Sequence, residues 1–129
     1  MRTIKFRGKC CHSDAWAYGN LVDYGEDECP EIQGFDVFGE GRDVWQEIAV
    51  EWDTVGQFIR LHDKNGKEIY EGDVVRHIDR NYSVDFYNGA FCLVDDLGVI
   101  HEDVANVMRS STIIGNIHDN PDLLKGGEE

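Results

Sequence analysis

Apolar and polar residues alternate with a period of two over several short stretches of the chain, which is the pattern of β-strands with one buried face. In residues 4–7, Ile4 and Phe6 alternate with Lys5 and Arg7. Glycine- or aspartate-rich turn signals separate the stretches. Further stretches lie at residues 16–24, 55–61, 67–70, 74–78, 82–86, 91–94 and 112–117. The pattern therefore predicts a mainly β protein with little helix.

Two Asn-Gly pairs predict tight hairpins between these strands. Asn65-Gly66, in the turn Asp63-Lys64-Asn65-Gly66, and Asn88-Gly89 offer residues that tolerate the positive φ angles of a short hairpin turn. Gly19 is predicted to mark a bulge or a close approach of two backbones. For residues 43–50 the sequence leaves a short helix and a strand both open.

The spacing of the strands between Ile69 and Ile117 predicts a small SH3-like β-barrel, since closure protects the edges of short strands. The predicted organisation is an N-terminal β-rich subdomain over residues 1–53, a barrel-like core over residues 54–125 and a disordered tail over residues 126–129. The length of 129 residues fits this arrangement.

Negative charge is concentrated in residues 23–53, which carry eleven acidic residues and one basic residue, Arg42. The whole chain has a formal net charge of −14. A charge this negative repels phosphate backbones, so direct nucleic-acid binding is disfavoured. The acidic segment is interpreted first as a solubilising surface.

No combination of residues has the spacing of a known catalytic, metal or cofactor motif. Cys10, Cys11, Cys29 and Cys92 lack the paired spacing of zinc ligands. A His-Glu-x-x-His helix from His101 would need histidine at position 105, which is alanine. Asp95-Asp96 and Ser110-Ser111 match no acid pair or nucleophile motif. We therefore predict no enzyme activity, and we assign no catalytic, cofactor-binding or metal-binding residue.

The compartment is predicted from the lack of targeting signals in the sequence. No apolar run approaches the roughly 20 residues that a membrane-spanning helix needs. Charged residues interrupt the N-terminal segment, which is unlike a signal peptide. We expect a soluble protein in the cytoplasm, with its cysteines reduced.

Three blocks of the sequence resemble the YopX family, small proteins carried by bacteriophages and prophages. The central block is Thr54-Val55-Gly56-Gln57-Phe58, Leu61 and the run from Asp63 through Asn65-Gly66 and Tyr70-Glu71-Gly72-Asp73 to Val75. The flanking blocks are Lys5-Phe6-Arg7-Gly8-Lys9 with Trp16 and Tyr18-Gly19, and residues 114–124. The resemblance implies a β-barrel-like core, self-association and a phage or prophage origin, and it brings no catalytic residues.

The sequence departs from the family pattern at Ile59 and Arg60, which replace small residues, so this spot is expected to be remodelled or solvent-facing. Within the central block, Glu71 and Asp73 are expected to bond backbone amides around Gly72. The alternative is that Tyr70, Glu71 and Asp73 form a surface that touches a partner.

Three functions remain open at this point. The first is an accessory protein that acts through protein–protein contacts with itself and with a host or phage protein, using Trp16, Trp45, Trp52 and strand edges. The second is an acidic DNA mimic that blocks a host DNA-binding protein. The third is a small ligand-binding or hydrolytic barrel.

Overall fold

The structure is a computed structural model that describes residues 4–101 and 105–124. The chain divides into two compact units, Met1–Phe58 and Ile59–Glu129. The sequence boundary at 53/54 lies a few residues before this division, which falls within a strand. The predicted tail, residues 126–129, lies outside the described residues.

The first unit is an antiparallel sheet built from consecutive strands. Strand β1 (Phe6–Lys9) pairs with β2 (Trp16–Val22), β2 with β3 (Glu31–Phe35), and β3 with β4 (Trp45–Ala49). A 3₁₀ turn at Trp52–Thr54 precedes β5 (Gly56–His62), whose first residues pair with β1. The acidic segment thus contributes two strands, and residues 43–50, which the sequence left open, contain a strand.

A small apolar core holds this sheet together. Ala17, Ile32, Val37 and Val50 are fully or almost fully buried. Gly19 lies where β2 approaches β3, because a Cβ atom there would be only 2.7 Å from the carbonyl oxygen of Gln33. The prediction of a close backbone approach at Gly19 is confirmed.

The second unit begins with the end of β5 and the short strand β6 (Glu68–Tyr70) and continues as an antiparallel sheet. Its strands are β7 (Asp73–His77), β8 (Arg80–Tyr87), β9 (Ala90–Asp95), β10 (Ile100–His101) and β11 (Thr112–Asn116), with helix α1 (Ala105–Arg109) before β11 and a 3₁₀ turn at Pro121–Leu124 after it. The mainly β prediction is confirmed.

The order of the strands decides the question of a barrel. In the second sheet the order is β10-β9-β8-β7-β11, so β10 and β11 form opposite edges. Within the described residues these two edges are not paired with each other, and the predicted SH3-like closure is not confirmed. Local hairpins, which sequence spacing shows well, do not determine whether the first and last strands meet.

The core of the second unit is larger than that of the first. Its fully buried residues come from separate strands and from the helix: Ile69, Val75, Val84, Leu93 and Met108. The side chain of Ile59 also packs into it and is buried, whereas Arg60 is exposed with a φ of 67°. The departure from the family pattern is therefore solvent-facing at Arg60 but not at Ile59.

The two Asn-Gly pairs form different turns. Asn88 and Gly89 both have positive φ, as predicted. At residues 65–66 only Gly66 does, with a φ of 84°, so the prediction is wrong for Asn65. The amide of Asp63 bonds the carbonyl of Lys67, which makes a three-residue loop with glycine in the left-handed position instead of a two-residue turn.

Asp63 joins this loop to the last strand of the second unit. Its carboxylate is only 5% exposed and accepts the backbone N–H groups of Asn65 and Lys67 on Oδ1 and of Ile113 on Oδ2. Burial raises the pKa of Asp63, but these backbone hydrogen bonds outweigh it and bring the pKa below its ordinary value. The carboxylate is thus a fixed connection between the β5–β6 hairpin and β11.

Candidate protein-interaction surface

An exposed aromatic pair lies on the solvent side of the first sheet. Phe35 of β3 is the direct cross-strand partner of Trp45 of β4, and Gln33 is the partner of Glu47. The two rings contact edge to face with their centroids 5.2 Å apart, yet Phe35 is 63% exposed and Trp45 46% exposed. Their large apolar area is therefore available to a second molecule. We call Glu31, Gln33, Phe35, Trp45 and Glu47 the β3–β4 face.

Polar groups beside the aromatic pair hold one another in place. The Trp45 indole N–H donates to Glu47 Oε2 at 3.1 Å. Glu31 Oε1 accepts hydrogen bonds from the Gln33 amide at 2.9 Å and from the Tyr24 hydroxyl at 3.0 Å, and the hydrogen bond to Glu31 raises the pKa of Tyr24. The β3–β4 face thus combines aromatic rings with carboxylates in a pre-arranged array.

Strand β4 ends the first sheet, and its outer edge is open at two residues. The amide of Asp36 bonds the carbonyl of Val44, and that of Val50 bonds the carbonyl of Pro30. In this register the even-numbered residues of β4 bond β3, so the backbone N–H and C=O groups of Trp45 and Glu47 point away from it. Within the described residues these groups have no partner.

The same edge is covered further along. The carbonyl of Ala49 accepts the amide of Cys11 at 3.0 Å, and Cys10 forms an isolated bridge with Val50. The open part of the edge therefore stops at Glu47. The loop before β4 is ordered by Asp36, whose carboxylate accepts the amides of residues 40, 41 and 42.

A second feature of the first unit is a cavity of about 380 Å³ beside Trp52, lined by Asp23, Gly25 and Glu26. The indole N–H of Trp52 donates to the carbonyl of Glu28 at 3.1 Å, which fixes the ring. Asp23 Oδ1 accepts the amide of Gly25 at 2.8 Å, which fixes the carboxylate. An aromatic wall with two carboxylates suits a cationic side chain. We call this the Trp52 pocket.

The three tryptophans named from the sequence have different environments. Trp45 and Trp52 are exposed, whereas Trp16 is half-buried with the guanidinium of Arg7 4.8 Å from its ring centroid. Sequence reasoning missed Phe35 and Glu47. The sequence does contain a signal for a shared strand face, in the alternation of Glu31, Gln33 and Phe35 and of Trp45 and Glu47. The register that aligns these two strands, however, is not readable from one sequence.

The central family block is mostly structural. Tyr70 and Asp73 are both 2% exposed, and Asp73 Oδ2 accepts the amide of Tyr70 at 2.7 Å. This agrees with the bonding around Gly72 that was expected for Asp73, and Gly72 itself has a φ of 95°. Tyr70 and Asp73 are too buried to form the partner-binding surface that was the alternative.

Two polar clusters of the second unit are centred on Asp95 and on Ser110. Asp95 is buried and bonds Arg80 at 3.3 Å, His101 Nε2 at 3.1 Å and the amides of Leu97 and Val99. The hydrogen bond from His101 is the largest of the effects that lower the pKa of Asp95 to about 2. Asp96 is exposed, so the two neighbouring carboxylates diverge. His101-Glu102-Asp103, which the sequence suggests is a polar turn and not a catalytic cluster, is only partly described, because Glu102 and Asp103 lie outside the described residues.

The second cluster pairs Ser110 Oγ with His77 Nδ1 at 3.3 Å on the surface. The same hydroxyl lies 3.0 Å from the carbonyl of Asn106 and 3.2 Å from that of Val107, at the end of α1. A hydroxyl held by helix carbonyls is typical of a helix end, and in the described residues the histidine has no carboxylate behind it to orient it as a base. The pair has the geometry of a cap.

The half-buried thiol of Cys11 contacts the exposed thiol of Cys29. Cys11 Sγ and Cys29 Sγ are 3.5 Å apart, and burial followed by the hydrogen bond to Cys29 raises the pKa of Cys11 to about 11. Among the residues that the structure describes, no group of three or more His, Cys, Asp or Glu side chains could hold a metal ion. None of the described helices has the length and apolar character needed to cross a membrane.

The fold defines a class of mainly β proteins with two antiparallel sheets. The chain belongs to the YopX family, whose model, described as YopX protein, matches residues 5–125. The crystal structure of protein EF1440 from Enterococcus faecalis is similar, with a TM-score of 0.57 and 21% identity over 96% of this chain and 99% of that chain. At this identity the likeness shows the fold alone. Among curated proteins, none matches the chain.

Proposed function

We propose that this YopX protein is a phage or prophage accessory protein that has no catalytic activity and acts through contacts with itself and with a host or phage protein. The observation that carries the proposal is the β3–β4 face, where Phe35 and Trp45 stay exposed beside an open strand edge. Aromatic residues are enriched at the cores of protein interfaces, and an open edge is a template for strand addition.

The contact with a different protein uses the Trp52 pocket. A fixed indole flanked by Asp23 and Glu26 attracts a basic side chain through cation–π and ionic contacts. The surrounding excess of acidic residues adds long-range attraction for a positively charged partner. The expected partner is therefore a protein that presents arginine or lysine on its surface.

The self-association part is tested by gel filtration with light scattering at micromolar concentration. We expect the wild-type chain to form an oligomer and a Trp45→Ser variant to shift towards the monomer. Trp52→Ser is the matched control, because it removes an exposed tryptophan of the same unit outside the β3–β4 face. A wild-type protein that is strictly monomeric contradicts this part.

The partner part is tested by capture from host lysate during phage growth, with the tagged protein as bait. Asp23→Asn combined with Glu26→Gln should abolish capture. Glu40→Gln combined with Asp43→Asn changes the net charge equally outside the pocket and should leave capture intact. An equal loss of capture with both double variants would contradict binding at the Trp52 pocket. It would favour an acidic DNA mimic, which depends on overall charge.

A further inference from the structure

Resting on the proposed self-association, we infer that a second copy of the chain adds to the outer edge of β4 as an antiparallel strand, in the single register that places Trp45 opposite Glu47 of the partner copy. The contact surface is the open edge of β4 and the β3–β4 face beside it. The occupant is the same strand of a second molecule, related by a twofold axis through Gln46.

The open backbone groups limit the choice of register. Along β4, the described residues with free outward N–H and C=O groups are Trp45 and Glu47. A twofold axis can therefore pair these residues in three ways, as 45 with 45, as 45 with 47, or as 47 with 47. Each pairing keeps the outward groups of one copy facing those of the other.

Two of these three registers are excluded by like charges and by the covered end of β4. Pairing 47 with 47 places two glutamates directly opposite each other and sets Trp45 against Ala49, whose carbonyl is already bonded to Cys11. Pairing 45 with 45 brings Glu47 opposite Asp43 of the other copy. Like charges directly across a strand pair are destabilising.

The remaining register places each Trp45 against a carboxylate of the other copy. The indole N–H donates to Glu47 of its own chain at 3.1 Å, and in this register the Glu47 carboxylate of the other copy can accept the same N–H in its place. About four backbone hydrogen bonds form between the two strands, and Phe35 extends the apolar contact on the solvent side. Because each copy carries a charge of −14, association should strengthen as salt is added.

Cysteine cross-linking tests the register. In a background with Cys10, Cys11 and Cys29 changed to serine, Trp45→Cys and Glu47→Cys proteins are oxidised separately and as a mixture. Directly opposite Cα atoms are about 5.5 Å apart, which is within the range that a disulfide spans. We expect the mixture to give mainly the mixed disulfide and each variant alone to cross-link poorly. Efficient cross-linking of either variant with itself would overturn the register.

A proline variant tests the edge itself. The Glu47 N–H does not belong to the β3–β4 ladder, so Glu47→Pro should leave the unit folded while it removes symmetry-related hydrogen bonds from the interface. We expect dimerisation to weaken about 10- to 100-fold, with Glu47→Gln as the folded control that keeps the N–H.

The outcomes separate this inference from the proposed function. An oligomer that Glu47→Pro does not weaken overturns the β4 contact while self-association stands. A wild-type chain that stays monomeric at micromolar concentration and high salt overturns both.

Discussion

The carboxylate of Asp63 should be among the most sensitive groups of the second unit, and Asp63→Asn tests this with almost no change in shape. The wild-type carboxylate accepts three backbone N–H groups while it is 5% exposed. An asparagine has one acceptor oxygen, so its amide N–H₂ must face at least one of these donors. If the asparagine oxygen keeps the hydrogen bonds from the amides of Asn65 and Lys67, the amide of Ile113 loses its acceptor.

The cost follows from these contacts. A buried donor left without a partner costs about 1–3 kcal/mol, and the hydrogen bonds that remain lose the strengthening that the negative charge gives them. We expect the free energy of unfolding to fall by about 2–4 kcal/mol, a large fraction of the roughly 5–15 kcal/mol of an ordinary domain.

Urea denaturation followed by circular dichroism measures this loss, and hydrogen exchange at the Ile113 amide reports on the site itself. Asp96→Asn is the matched control, since it removes the same charge from an exposed position. The reasoning is refuted if Asp63→Asn and Asp96→Asn unfold at the same urea concentration with unchanged exchange at Ile113.

Further predictions concern acid, a turn and a pair of thiols. The pKa of Asp95 is about 2 in the folded protein, below the roughly 3.9 of the unfolded chain. Its carboxylate therefore stabilises the fold above the unfolded pKa, and this stabilisation is lost as pH falls towards 2. In urea titrations, Asp95→Asn should be less stable than the wild type at pH 7 and should differ little from it near pH 2. Ile78 has a φ of 59°, which is strained for a β-branched residue, and its side chain is 83% exposed. Ile78→Gly should therefore raise the melting temperature. A lower melting temperature would contradict the idea that the backbone is strained at this position. Oxidised glutathione should cross-link Cys11 and Cys29 by disulfide exchange, releasing two reduced glutathione molecules; peptide mapping that finds both thiols free is the contrary result.

The strands and most turns were readable from the sequence because they depend on local alternation and turn chemistry. Asn88-Gly89 adopts the predicted turn, but Asn65-Gly66 does not, because Asp63 and Lys67 close a wider loop. The barrel depended on whether β10 and β11 meet, and no local pattern encodes that pairing.

The candidate surface was only partly predictable for the same reason. Trp45 and Trp52 could be named as exposed aromatics from composition, whereas Trp16 is held by Arg7. The role of Phe35 depends on the β3–β4 register, which places it against Trp45 across an intervening acidic loop. A register between strands separated by a loop is a tertiary property, so one sequence gives the residues but not the face they form.

The hydrogen bond from the Cys11 amide to the carbonyl of Ala49 has a consequence for solubility. It ends the open edge of β4 after Glu47, so on this edge only the three-residue segment 45–47 can template another chain. Amyloid stacking needs longer segments of about six residues. A short edge that carries a glutamate thus allows one brief strand contact while it resists growth into a fibre.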